Sequence, residues 1–151
     1  MQEAEEDRDV RIRAAVYDTA IATGSLPSAD QLAAQLGIPL AEVRASIERL
    51  ASGRVLVLQP SSREILMANP FSAVPTPFAV RAGGQIYFGN CIWDALGIPA
   101  MLKADGQIAT SCGCCGEAMT LEIVDQRLEP ASGVVHFAIP AKQWWNDIVY
   151  N

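Results

Sequence analysis

Cys91 and Asp94 are three residues apart in Asn90-Cys91-Ile92-Trp93-Asp94, directly after Gly89 and at the expected start of a helix. Residues i and i+3 share a helix face, so the thiol and the carboxyl would stand side by side. A cysteine in a first turn feels the partial positive charge of the helix N-terminus, which lowers its pKa and supplies thiolate. Asp94 can then exchange a proton with whatever the thiolate binds. A plainer reading makes Cys91 a buried small hydrophobe and Asp94 an acidic first-turn residue or cap.

The other three cysteines, Cys112, Cys114 and Cys115, fall in Ser111-Cys112-Gly113-Cys114-Cys115-Gly116, a glycine-flanked turn between two expected strands. Three thiols this close together do not make a secreted disulfide framework; in a reducing compartment such a cluster binds metal or does thiol chemistry. A Cys-x-x-Cys pair is half of a tetrahedral zinc site, and the remaining candidates for the other half are Cys91 and the single histidine, His136. A redox dithiol, a soft-metal relay, zinc and a turn with packed thiols all remain open. Gly113 and Gly116 are expected to let Cys112 and Cys115 approach each other. His136 lies in an apolar run and reads as a core or edge residue, and Trp144 and Trp145 read as core aromatics.

These residues sit in a chain of 151 residues that is 50% hydrophobic and 19% charged, an ordinary globular balance with enough length for a core that needs no staples. The longest apolar runs are far short of a membrane span, and the acidic N-terminus is no signal peptide. A cytoplasmic location is expected. The net charge of −6 opposes nonspecific binding to phosphate backbones.

The elements that must position the thiols follow from periodicity and caps. Residues Arg8 to Thr23 favour a helix ended by Gly24. Ser28 caps a second over Ala29 to Leu36, closed by Gly37, and Pro39 opens a third through Leu50, ended by Gly53. Val55 to Leu58 and Glu64 to Ala68 read as a hairpin, and three helices with a hairpin make a winged-helix-like unit over residues 1–68. That unit holds seven basic and ten acidic residues, and Arg44 and Arg49 of its third helix are offset by Glu42 and Glu48. A recognition helix presents a basic face, so DNA is disfavoured as a partner and a helical cap is preferred.

Residues 69–77 contain Pro70, Pro75 and Pro77 and read as an extended connector. Residues 78–151 form the second unit. Phe78 to Arg81 and Gln85 to Phe88 flank Gly83-Gly84 as strands, and Cys91 to Leu102 is a helix interrupted near Gly97 and Pro99. Gln107 to Ser111, Met119 to Val124 and Val134 to Ile139 are further strands, followed by a short helix over Lys142 to Val149. Connections after Gly106 are too short for βαβ crossovers. The expected class is therefore α+β, with a small, mostly antiparallel sheet beside the cysteine-bearing helix.

Taken together the chain resembles the bacterial organomercurial (alkylmercury) lyase family. The resemblance is carried by Asn69-Pro70-Phe71-Ser72, Pro75-Thr76-Pro77-Phe78, Asn90-Cys91-Ile92-Trp93-Asp94-Ala95-Leu96 with Ile98-Pro99-Ala100, the Ser111-Cys112 segment and the stretch from Pro140 through residue 150. The resemblance implies that Cys91 binds the organomercurial, and that Asp94 helps deprotonate thiols and protonates the leaving carbon. Cys112 would be structural. It implies no permanent cofactor, a small organomercurial as substrate and mercury(II) as product. The family's second mercury-binding thiol follows the final helix, and here no cysteine comes after Cys115, so residues 78–151 are expected to be a catalytic unit incomplete at its C-terminus, with Cys114 or Cys115 as substitutes. Metal-binding candidates are thus Cys91, Cys112, Cys114 and Cys115. The rival functions are a winged-helix regulator sensing metal or redox state through Cys112 to Cys115, and a noncatalytic soft-metal-binding member.

Overall fold

The computed structural model describes residues 2–129 and 132–149. Helix α1 (Gln2–Thr23) is followed by α2 (Ala29–Leu36) and α3 (Leu40–Ser52). Ser28 caps α2 through a reciprocal pair, its Oγ accepting from Gln31 N–H at 3.2 Å while Gln31 Oε1 accepts from Ser28 N–H at 2.8 Å. Strands β1 (Val57–Leu58) and β2 (Ile65–Ala68) form the expected antiparallel hairpin.

Helix α1 begins six residues before the expected Arg8, and its imperfect periodicity has a physical cause. The helix serves two cores. Ile12, Ala15 and Val16 pack with Leu32, Val43, Ile47 and Leu56 of the N-terminal elements. One turn later Ala20 joins Val80, Tyr87, Ala95, Ile98 and Ile108 of the second core. Apolar residues aimed at two partners cannot fall on one stripe. The second core also holds α1 by its backbone, since Tyr87 Oη donates to Ile21 O at 2.8 Å.

The proline-rich segment carries a strand that the sequence does not announce. Phe71–Ser72 forms β3, pairs antiparallel with β2, and makes a bridge from Phe71 to Gly89, the residue after the strand Gln85–Phe88. The Asn69–Pro70 peptide is cis. Strands β4 (Ala79–Ala82), β5 (Gln85–Phe88), β6 (Gly106–Ser111), β7 (Ala118–Val124) and β8 (Arg127–Glu129) form a second sheet in the order β5-β4-β6-β7-β8, antiparallel throughout. The α+β class with an N-terminal helical unit is as expected.

Three local expectations need correction, and one strand is unannounced by the sequence. Helix α4 (Ile92–Leu102) runs without interruption through Gly97 and Pro99. Proline there removes one ladder hydrogen bond, but Ala95, Ile98 and Pro99 are all buried against the sheet, and tertiary packing outweighs the local defect. Val134 to Ile139 forms no strand: β8 already occupies the outer edge of β7, and Val134 is 91% exposed. Strand β8 is reached through Asp125 and Gln126, both at positive φ, a tight turn without the glycine that usually marks one. The final helix is a 3-10 segment over Ala141–Asn146 instead of a helix to Val149.

Polar contacts lock the helices together. Arg49 grips Asp9 with two hydrogen bonds, Nε to Oδ2 at 2.9 Å and Nη2 to Oδ1 at 2.6 Å, and Nη2 also donates to the buried Ser46 Oγ at 2.8 Å. The hydrogen bonds from Arg49 hold the Asp9 carboxyl below its ordinary range. A depressed carboxylate pKa adds stability above its unfolded value and loses it as pH falls through the folded one. Asp9→Ala should therefore cost about 1 kcal/mol at neutral pH, for a paired but partly exposed contact. In urea unfolding the difference from the parent should shrink in strong acid; an equal difference at both pH values would contradict the assignment.

Candidate functional site

The site lies where β5, β3 and the N-terminus of α4 meet. Gly89 ends β5 and is pinned from two sides, its N–H donating to Phe78 O at 3.0 Å and its carbonyl accepting from Thr76 Oγ1 at 2.6 Å. It also touches the backbone of α4: a Cβ at this position would lie 2.6 Å from Ala95 N and 2.9 Å from Ala95 Cα. Any side chain here would push the first turn of α4 away, so glycine is what lets the helix start immediately after the strand.

Cys91 follows as the N-cap of α4, in extended backbone (φ −146°, ψ −179°), one residue earlier than a first-turn position. The backbone N–H groups of Trp93 and Asp94 lean toward its sulfur and favour the thiolate, without closing a capping hydrogen bond. Burial outweighs them, aided by the charge of Asp94, and the Cys91 thiol is pushed up from its ordinary value. The expected lowering at a helix N-terminus is thus reversed. Desolvation of the charged form is the larger effect here.

Asp94 is the first-turn acid beside it, and its carboxyl is also pushed up, chiefly by burial. Hydrogen bonds from Asn90 and the neighbouring Cys91 thiol oppose that rise. Thiol and carboxyl are therefore adjacent, both biased toward their protonated forms, and interact through a shared hydrogen bond. Such a pair places a proton donor and a proton acceptor side by side, and the two titrate as a coupled unit.

Sequence reasoning does not single out Asn90, yet it holds the carboxyl in place. Its Nδ2 donates to Asp94 Oδ2 at 3.0 Å, to Asn69 Oδ1 at 3.0 Å and to Phe71 O at 3.3 Å. Three acceptors fix the orientation of this amide, and its own Oδ1 is buried without a partner. The one legible signal was its place next to Cys91; two of its three partners, Asn69 and Phe71, are about twenty residues away in sequence and could not be read from spacing.

Cys91, Asp94, Asn90 and Asn69 line one cavity of about 70 Å³. Its remaining walls are Met67, Trp93, Phe137, Trp144, Ile148 and Val149, all apolar. Trp144 is a wall of this cavity and not a core aromatic. Its ring lies 4.9 Å from Phe137, and its Nε1 donates to Ile139 O at 2.8 Å. Trp145 is 38% exposed under the Arg54 guanidinium, also outside the core. His136 is exposed and takes no part in the site.

Neither Cys112, Cys114 nor Cys115 lines the cavity. Cys112 and Cys115 do meet across the β6–β7 turn, where backbone N–H groups of Cys115 and Cys114 and the Cys115 thiol approach the Cys112 sulfur. Gly116 has the positive φ expected of the turn, whereas Gly113 does not. Among the described residues no three His, Cys, Asp or Glu converge as an ion-holding group, so the zinc considered for this cluster does not find its ligand set.

The position of Asp94 carries a stability consequence. A carboxyl whose folded pKa is raised favours folding below its unfolded value and opposes it progressively as pH rises through the folded one. Asp94→Asn keeps an acceptor for Asn90 and removes the buried charge. It should unfold at higher urea than the parent at neutral pH, with the gap closing in acid. A variant less stable than the parent at neutral pH would show that the carboxylate is stabilising, against this reading.

A family model described as alkylmercury lyase (MerB) matches residues 71–150, more than half of the chain, a span containing Cys91, Asp94 and the Cys112 to Cys115 turn. A protein named alkylmercury lyase from Staphylococcus epidermidis (strain ATCC 12228 / FDA PCI 1200) is 27% identical over 123 residues, 80% of this chain and 55% of that protein. The solved structure of the mercury-bound form of MerB2 matches with a TM-score of 0.64 at 24% identity, over 80% of this chain and 57% of that one, a likeness of fold. The chain spans little more than half the length of these relatives. With the family model covering more than half of the chain, including all of α4 and most of the second core, the chain belongs to the alkylmercury lyase family.

Proposed function

We propose that the protein captures organomercurials at Cys91 and cleaves their carbon–mercury bond by protonolysis, with Asp94 as proton carrier. The observation that carries this reading is the half-buried thiol–carboxyl pair in a small, apolar-walled cavity. Mercury is soft and prefers thiolate sulfur, by the same logic that sends Cu(I) to cysteine. The apolar walls suit the organic group that the metal carries.

In the first step the Cys91 S–H bond breaks, its proton passes to the Asp94 carboxylate, and sulfur bonds to mercury as an anionic ligand departs. A raised thiol pKa makes the neighbouring carboxylate essential, because Cys91 does not ionise readily by itself. In the second step the Asp94 O–H breaks, the electron pair of the carbon–mercury bond takes the proton, and the hydrocarbon leaves. Mercury(II) remains on Cys91, and Asp94 returns to its starting carboxylate. A second thiolate on the metal raises its electron density and speeds this step. Cys114 and Cys115 lie outside the cavity and do not fill that role; a thiol from solution can.

Three helices and a hairpin have the order of a winged helix, but four of its seven arginines are paired with acidic residues within the protein. Arg8 pairs with Glu42 at 2.9 Å, Arg49 with Asp9, Arg63 with Glu48 and Arg44 with Glu64 at 3.4 Å. Few cations are left for phosphates, so this unit is a structural cap and not a DNA reader. All four cysteines are free thiols, which fits a reducing, cytoplasmic setting, and no helix among the described residues is long and apolar enough to cross a membrane.

Cys91→Ser should remove organomercurial capture from the cavity, because a hydroxyl is hard and poorly ionised. With an arylmercury compound offered against an excess of a small monothiol, retained organomercury should fall by about tenfold or more, as expected when a positioned soft ligand is lost. Retention unchanged in Cys91→Ser would place capture elsewhere.

A further inference from the structure

The β6–β7 turn holds thiols that the reaction above does not use. Cys112 N–H donates to Glu117 O at 2.8 Å and Gly116 N–H donates to Cys112 O at 2.8 Å, so the six residues close into a hydrogen-bonded loop and not a loose tip. Gly116 supplies the left-handed turn, at φ +74°. Inside the loop the backbone N–H groups of Cys115 and Cys114 lean toward the Cys112 sulfur, and the Cys115 thiol lies beside it. Cys112 is half-buried and Cys115 exposed. The loop thus places two cysteine sulfurs as neighbours on one turn, one of them flanked by backbone donors of the kind that stabilise sulfur anions.

The number of ligands decides what such a pair can hold. Zinc prefers four, and no third His, Cys, Asp or Glu joins the pair among the described residues. A soft cation content with two sulfurs has all it needs. Cys114 contributes its backbone N–H to the Cys112 sulfur, which leaves the pair as Cys112 and Cys115. We propose that Cys112 and Cys115 form a second, two-thiolate site for a soft thiophilic cation of the mercury(II) class, separate from the Cys91 cavity. On binding, two S–H bonds break, two sulfur–metal bonds form and two protons pass to solvent, with no change of oxidation state. The assignment stands on the turn alone. Where the reaction at Cys91 also holds, its product is an ion of this class.

The test uses the full chain carrying Cys91→Ser, reduced and then freed of reductant. Mercury(II) chloride is added in equimolar amount against about a tenfold excess of 2-mercaptoethanol, over which two thiols on one turn should win by effective concentration. After desalting, metal and free thiols are counted per chain. The protein should retain about one mercury and lose about two titratable thiols, as a two-thiolate chelate requires. Adding Cys115→Ser, at an exposed position, should lower retention by about tenfold or more once the chelate is gone, and adding Cys114→Ser should leave it unchanged. The proposal is overturned if the Cys91→Ser chain retains no metal, or if Cys114→Ser costs as much as Cys115→Ser. Recovery of metal-free chains lighter by two hydrogens, a Cys112–Cys115 disulfide, also overturns it. Organomercurial capture by Cys91 is not involved, so the two readings can fail separately.

Discussion

Burial of the Cys91 thiol against the Asp94 carboxyl is the constraint on which the rest of the site depends. Each group is pushed toward its protonated form, mainly by loss of water. The fold tolerates this because Asn90 ties the carboxyl to Asn69 and to the backbone of Phe71, so that its remaining charge is hydrogen-bonded. Gly89 makes the arrangement possible by bringing the end of β5 against the backbone of α4, which seats Cys91 at the cap with its carboxyl partner in the first turn.

The N-terminal elements enter the same account through β3 and α1. Phe71 bridges the two sheets, packing its ring 5.5 Å from Tyr87 and 6.3 Å from Tyr17, while its carbonyl accepts from Asn90. Tyr17 Oη in turn donates to Asn69 O at 3.0 Å. A helix shared by two cores therefore helps place the loop that orients the catalytic carboxyl in the proposed mechanism. Substitutions in α1 far from the cavity can reach the site along this chain of contacts.

Much of this was legible in the sequence where local physics decides. Ser28 marks a capped helix, Gly37 its end, and the short connections after Gly106 require antiparallel pairing. Cys91 and Asp94 stand out by type and spacing. What escaped depends on tertiary context: burial that reverses the pKa shift of Cys91, packing that carries α4 through Pro99, and a β8 reached by an Asp125-Gln126 turn with no glycine. Asn90 escaped because its role is defined by partners distant in sequence. Val134 to Ile139 misled because an apolar run specifies a strand only if a sheet edge is free to receive it.

The central claim is that thiol and carboxyl divide the work between capture and proton delivery. The most direct measurement is a single turnover of an organomercurial by the parent and by Asp94→Ala, with a small monothiol present as second sulfur donor, following bound mercury and evolved hydrocarbon. The account predicts capture by both proteins and hydrocarbon release slower in Asp94→Ala by about 10²–10⁴-fold, the usual contribution of a positioned general acid. Release at the parent rate by Asp94→Ala, or capture by the parent with no hydrocarbon evolved, would contradict it.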